Sequence, residues 1–187
     1  VNAVNDAPVN SVPGAQSTNE DTNLTFSTGN GNLISIADVD NATLDVSLLV
    51  SNGTLTLSQT TGLTFSTGDG TSDVAMQFSG TKANINAALA GLVYSATANY
   101  NGADTLSITA DDGTATDTDT IAITVNAVND APINSVPGAQ STNEDTNLTF
   151  STGNGNLISI ADVDHASVDV ILLVSNGTLT LSQTTGL

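Results

Sequence analysis

The chain has 187 residues, no cysteine, a single lysine, no arginine and a formal net charge of −18. Disulfides and thiolate metal sites are thereby excluded, and nucleic acid is excluded as a partner because no basic patch exists to displace its counterions. No apolar run reaches the roughly 20 residues a membrane-spanning helix needs, and no stretch resembles a signal peptide.

The pattern along the chain predicts many short strands separated by polar turns. Val9 to Val12 reads as an opening strand after Pro8, and Asn23 to Thr28 alternates with Leu24 and Phe26 inward. Leu33 to Ile36 is a short apolar run that ends in the acidic turn Asp38-Val39-Asp40. Leu44, Val46, Leu48 and Val50 line one face of a longer strand. Asn52-Gly53 then predicts a two-residue hairpin, with Leu55 and Leu57 on the returning strand and Leu63 and Phe65 extending the sheet. Val74, Met76 and Phe78 alternate in the next strand.

At that point the period changes. Thr81 is suited to cap a short helix, in which Ile85, Leu89 and Leu92 recur at helical spacing, and this helix is expected to cross from one sheet to another. Leu106, Ile108 and Ala110 form a penultimate strand closed by Asp111-Asp112-Gly113, and Ile121, Ile123 and Val125 form the last. Short strands in this number indicate an all-β fold, an antiparallel two-sheet sandwich with one short helix between late strands.

The last strand leads into VNAVNDAP at Val125–Pro132, the eight residues that also open the chain at Val1–Pro8. Residues 125–187 repeat residues 1–63 except at five places: Val9/Ile133, Asn41/His165, Thr43/Ser167, Leu44/Val168 and Ser47/Ile171. The repeat length is 124 residues, so 1–124 is a complete module and 125–187 the N-terminal half of the next, with 125–132 as the junction. Residues 64–124 could complete either half. The intact order 1–124 is expected to win, and residues 125–187 of one chain could then be completed by another, giving head-to-tail self-association.

Seventeen of the nineteen acidic residues are Asp, many of them clustered beside Asn and Gly. Bare clusters of this kind repel one another, and hard divalent cations with oxygen ligands would relieve that repulsion. Asp38 and Asp40, one residue apart after an apolar strand, could direct two carboxylates to one ion. Simple up-and-down counting of strands places Glu20 and Asp21 near the same end of the module.

Taken together, ITVNAVNDAP, the NED about a dozen residues after NDAP, DVD, VSNGTLTL, INAALAGLVY and NGADTLSITADDG resemble bacterial cadherin-like repeats. These are Ig-like β-sandwich modules of giant secreted adhesins, often accompanied by RTX-type secretion signals. The resemblance covers the whole 124-residue unit. It implies Ca²⁺ at the boundary between consecutive modules, with Glu20 as the early Glu, Asn129 and Asp130 as the linker ND, and Asp162 and Asp164 as the DxD turn of the following module. Asp21 and Asn126 flank these positions. Asn5, Asp6, Asp38, Asp40 and Glu144 are the equivalents in the other copy, and Asp111 and Asp112 are additional candidates. The chain departs from the family pattern: Ala127 stands where the first linker Asp belongs, the linker is one residue short, and no Asp-Arg-Glu follows the hairpin, leaving Asp69 as a substitute. The resemblance thus implies fewer or weaker ions.

The function expected on these grounds is a calcium-binding extender repeat at the bacterial cell surface, its partners being neighbouring repeats and, through other domains, a glycan or cell-surface target. The alternative is a module that itself binds carbohydrate or mediates homophilic adhesion. An enzyme is not expected. The sole histidine, His165, is Asn41 in the other copy, and no serine or threonine has an identifiable base and orienting partner.

Overall fold

The computed structural model describes residues 4–186, so the outermost residues of the two predicted modules lie outside the described part. The chain separates into two compact units, Val1–Val128 and Asn129–Leu187. The first unit ends four residues beyond the repeat arithmetic because its last strand continues through Asn126.

Unit 1 is an all-β sandwich with one short helix. Its larger sheet has six strands: β2 (Gln16–Asn19), β11 (Thr116–Asn126), β10 (Gly102–Asp111), β5 (Thr43–Leu49), β8 (Ala75–Thr81) and β7 (Leu63–Thr67), in that spatial order. The smaller sheet is β3 (Leu24–Phe26), β9 (Leu92–Ala96) and β6 (Gly53–Thr56), and β1 (Val9–Ser11) pairs with β4 (Ser35–Ala37). All pairs are antiparallel except β2 with β11, which run parallel. The predicted alternation is realised: Leu44, Val46 and Leu48 of β5, Met76 and Phe78 of β8, and Leu106, Ile108 and Ala110 of β10 are buried. Val74 shares their parity but precedes β8 and is exposed.

The helix α1 (Lys82–Leu89) starts where expected, with the Thr81 hydroxyl accepting from the Asn84 amide. Ile85, Ala88 and Leu89 enter the core, while Leu92 already belongs to β9. The helix follows β8 of the large sheet and precedes β9 of the small one, and so makes the expected crossing.

The Asn52-Gly53 hairpin does not form. β5 and β6 belong to different sheets, and the segment between them is a crossover. The amides of Ser51 and Asn52 donate to the buried Asp104 carboxylate at 3.1 and 2.9 Å, and the Val50 amide donates to the Val74 carbonyl. These side-chain and long-range bonds replace the ladder a hairpin would have made. The free edge of β6 instead takes up the loop before β8, with Leu55 bridged to Asp73 and Leu57 bonded to Gly70.

Gly53 is needed for closeness rather than for turning. A Cβ there would sit 2.5 Å from the Ser95 carbonyl and 2.7 Å from the Tyr94 ring. Gly53→Ala is therefore expected to cost about 1–3 kcal/mol, the usual penalty for overpacking, read as a lower denaturation midpoint. An unchanged midpoint would refute the close-approach reading.

Unit 2 repeats the sequence of the first half of unit 1 but only part of its structure. β12 (Ile133–Ser135) pairs with β13 (Ser159–Ala161) in the register of β1 with β4. The Ser151 amide bonds to Asn156 Oδ1, as Ser27 does to Asn32. Residues 168–173, the counterpart of most of β5, are not strand, and Phe150 is 40% exposed where Phe26 is 0%. The pairs that persist are local. β5 pairs with β8 and β10, β3 and β6 with β9, and β2 with β11, all partners drawn from residues 75–126.

Candidate metal centre

At the end of β4 the chain turns through Asp38, whose Oδ1 accepts the amides of Asp40 (2.8 Å) and Asn41 (2.6 Å). Aspartate favours such turns because its short side chain can substitute for a backbone acceptor. The Asp6 amide donates to Asp40 Oδ2 at 2.7 Å, and the Asn41 side-chain amide donates to Asn5 Oδ1 at 3.1 Å. Asn5 Nδ2 in turn donates to Asp112 Oδ2 at 2.8 Å. Asp112 Oδ1 closes the β10–β11 turn by accepting from Thr114 and Ala115. The bond from Asn5, followed by these amides, holds the Asp112 carboxyl below the usual carboxylate range.

Asn5, Asp6, Asp38, Asp40 and Asp112 are thus brought to one end of unit 1, where the only lysine, Lys82, donates to the Asp38 carbonyl. Asp111 stays outside this group and caps its own turn at Gly113. The chemically informative atom is Asp38 Oδ2. Asp38 is only 8% exposed, its Oδ1 is occupied by two amides, and Oδ2 is buried with no hydrogen-bond partner. A buried carboxylate oxygen in that condition is costly unless something positive meets it. The donor set, carboxylates with amide oxygens, suits a hard cation such as Ca²⁺.

Unit 2 rebuilds the turn itself. Asp162 Oδ1 accepts from Asp164 (2.9 Å) and His165 (2.8 Å), and the Asp130 amide donates to Asp164 Oδ2. The His165 amide, above all, holds the Asp162 carboxyl below its usual range. Among the described residues, Asp162, Asp164 and His165 are the only group of three whose ligand atoms all lie within 4.8 Å of one another. Asn129 bonds to the Asp130 carbonyl, as Asn5 does to that of Asp6.

Glu20 lies at the other end of unit 1. Its amide donates to the Asn126 carbonyl (2.9 Å), its Oε1 accepts from the Val128 amide, and its Oε2 is buried without a partner. Asn126 also reaches Asn19 through its side chain. Asp21 has a positive φ of 55° and accepts from the Asn99 amide. The expectation that Glu20 and Asp21 share an end with Asp38 and Asp40 is therefore wrong. The eleven residues of β11, roughly 35 Å at strand rise, separate them. The counting failed because it took the two strands between Glu20 and Asp38 as an up-and-down pair, whereas β3, paired with β9, and β4, paired with β1, both run from the Glu20 end to the Asp38 end.

Asp69 is also misplaced as a companion of Glu20. It caps a loop by accepting from the Thr71 amide, and that loop runs beside β6. From β3, which follows Glu20, the way round through β9 and β6 is three strand spacings, about 14 Å. One ion cannot bridge that gap. Glu144 lies exposed in unit 2, with no counterpart of β11 to bury it as Glu20 is buried.

Two residues escaped the sequence reading. His165 carries little weight in the sequence because the other copy has Asn41 there, although the difference falls directly beside the DVD turn. Asp104, in β10, gave no signal, because nothing local marks a strand aspartate as the anchor of a distant crossover.

These features define an all-β sandwich module with carboxylate-bearing turns at both ends. No family model matches the chain, and no curated protein aligns with it significantly.

Proposed function

We propose that the chain is a calcium-binding structural repeat, non-enzymatic, that serves as an extender in a bacterial cell-surface or secreted adhesin of the cadherin-like type. The observation that carries this reading is Asp38 Oδ2, buried and unpartnered in a turn to which Asp6 and Asn5 are hydrogen-bonded through Asp40 and Asn41. Asp38 would be the anchoring ligand, and the ion would supply a positive partner for its second oxygen, which Lys82, bonded to the Asp38 carbonyl, does not reach by hydrogen bond. Glu20, at the opposite end of the module, offers a second buried oxygen in the same condition. A module with acceptors at both ends suits a tandem array whose neighbours are further copies of itself.

Extracellular calcium modules bind with dissociation constants of about 10⁻⁴ to 10⁻³ M. At a ten- to hundredfold excess of ion, linkage contributes roughly 1.4 to 2.7 kcal/mol per site. For a unit of this size that corresponds to a rise in Tm of about 5–10 °C. Melting in calcium and in chelator is expected to differ by that amount, and Asp38→Ala is expected to remove most of the difference. Equal melting temperatures in both conditions would overturn the proposal.

A further inference from the structure

We infer that the junction Val125–Pro132 selects which half module residues 64–124 pair with, because it commits neighbouring residues to opposite ends of any module that would use both. The chain carries two candidates for that pairing, 1–63 and 125–187, which differ at only five places. Residues 64–124 supply β8, β9, β10 and most of β11, and all of these are committed to the half that precedes them. The inference involves no metal and does not depend on the calcium reading.

The chain enters and leaves unit 1 at opposite ends. Where it leaves, the Asn126 carbonyl accepts from the Glu20 amide at 2.9 Å, and the Val128 amide donates to Glu20 Oε1. Where it enters, Asn5 donates to Asp112 at 2.8 Å and the Asp6 amide donates to Asp40 at 2.7 Å. Asn10 then bonds to Asp117 through both its backbone and its side-chain amide. Asp117 and Asn126 are nine residues apart in β11, about 30 Å at strand rise. Both sets of contacts form because they use different parts of the chain, residues 5–10 and 126–128.

Pairing of 64–124 with 125–187 would put Glu144 in the place of Glu20, Asn129 in that of Asn5 and Asn134 in that of Asn10. Val128 would be held at the Glu144 end while Asn129, the next residue, had to reach Asp112 at the other. Consecutive Cα atoms are about 3.8 Å apart, so the two contacts exclude each other. Giving up both leaves eight residues from Asn126 to Asn134, at most about 29 Å fully extended, to run some 30 Å around a folded module. The preceding half meets no such limit, because it joins residues 64–124 directly through β7. The pairing is therefore one-way: residues 64–124 close on the half before them and leave the half after them unclaimed. Among near-identical repeats this keeps the modules in frame.

The test uses the whole chain in two versions. Both carry Ile133→Val, His165→Asn, Val168→Leu and Ile171→Ser, which make the halves equivalent except for Ser167, and that residue keeps the peptides covering 43–49 and 167–173 distinguishable by mass. One version also has about twelve glycine and serine residues inserted between Val128 and Asn129, adding up to about 40 Å of reach. Amide hydrogen exchange is followed by mass spectrometry. Without the insert, only residues 43–49 are expected to be protected. With it, each peptide is expected to split into protected and exchanged populations in complementary proportions, with roughly 10–50% of molecules using 125–187. Residues 167–173 left wholly unprotected in the lengthened chain would overturn the inference. So would a split in the version without the insert, since the five differences between the copies would then be making the choice.

Discussion

When a second copy of residues 64–124 is added behind residue 187, residues 168–173 become a protected strand. Their amide hydrogen exchange is expected to slow on the order of a thousandfold, and melting is expected to show the stability of a second complete module. The reason lies in the pairing scheme. In unit 1 the equivalent segment, β5, is hydrogen-bonded on one side to β8 and on the other to β10. Neither partner has an equivalent within residues 125–187. Phe150, Leu172, Leu179 and Leu181 are between 40% and 51% exposed, whereas Phe26, Leu48, Leu55 and Leu57 at the same positions are buried. Full burial of one such side chain is worth about 1.5–3 kcal/mol, so even part of that for four residues is large beside the cost of ordering a half module. Exchange rates left unchanged by the added strands would show that some other property of 125–187 prevents folding. The five substitutions would then be the suspects, above all Ser47/Ile171.

Asp104→Ala is expected to be the most destabilising single substitution in unit 1, at about 3–5 kcal/mol. The carboxylate accepts from the amides of Ser51 (3.1 Å), Asn52 (2.9 Å) and Thr105 (2.8 Å) and from the Tyr94 hydroxyl (2.9 Å). Removing it strands four donors at once, the buried Tyr94 hydroxyl among them, at the point where the chain passes between sheets. Tyr94→Phe removes one donor and leaves the carboxylate its other three, so about 1 kcal/mol is expected. Denaturant titration of the two variants compares them directly, and equal costs would show that Asp104 does not anchor the crossover. Burial, and after it the bond to Asp104, raise the Tyr94 hydroxyl well above the usual phenol range. The unfolded chain therefore ionises this tyrosine first, and the stability Tyr94 contributes is full below about pH 10 and declines above it.

Much of the candidate site was legible in advance because its chemistry is local. A carboxylate that accepts the amides two and three residues ahead needs only its own turn, so Asp38 and Asp162 behave alike although their units do not. The partners of that turn were harder to see. Asp112 reaches it through Asn5, 107 residues away in sequence, and only sheet register brings them together. The placement of Glu20 failed for a related reason. β3 and β4 pair with different partners and run the same way, so two consecutive strands carry the chain from one end of the module to the other, which alternation within each strand does not announce. Asn52-Gly53 looked like a hairpin on local grounds, and a buried aspartate on another strand decided otherwise.

The two copies divide these influences cleanly. Near-identical sequences produce the same β1–β4 and β12–β13 pair, the same Ser-to-Asn turn and the same aspartate turn, so those features are determined by the sequence of the half module itself. The β5 strand, the seating of Phe26 and the burial of Glu20 appear in one copy only. They are decided by tertiary structure, because a strand's hydrogen bonds and the apolar face it covers are supplied by residues elsewhere in the chain. Where those residues are present, the alternating pattern becomes a core. Where they are not, the same pattern leaves its leucines facing water.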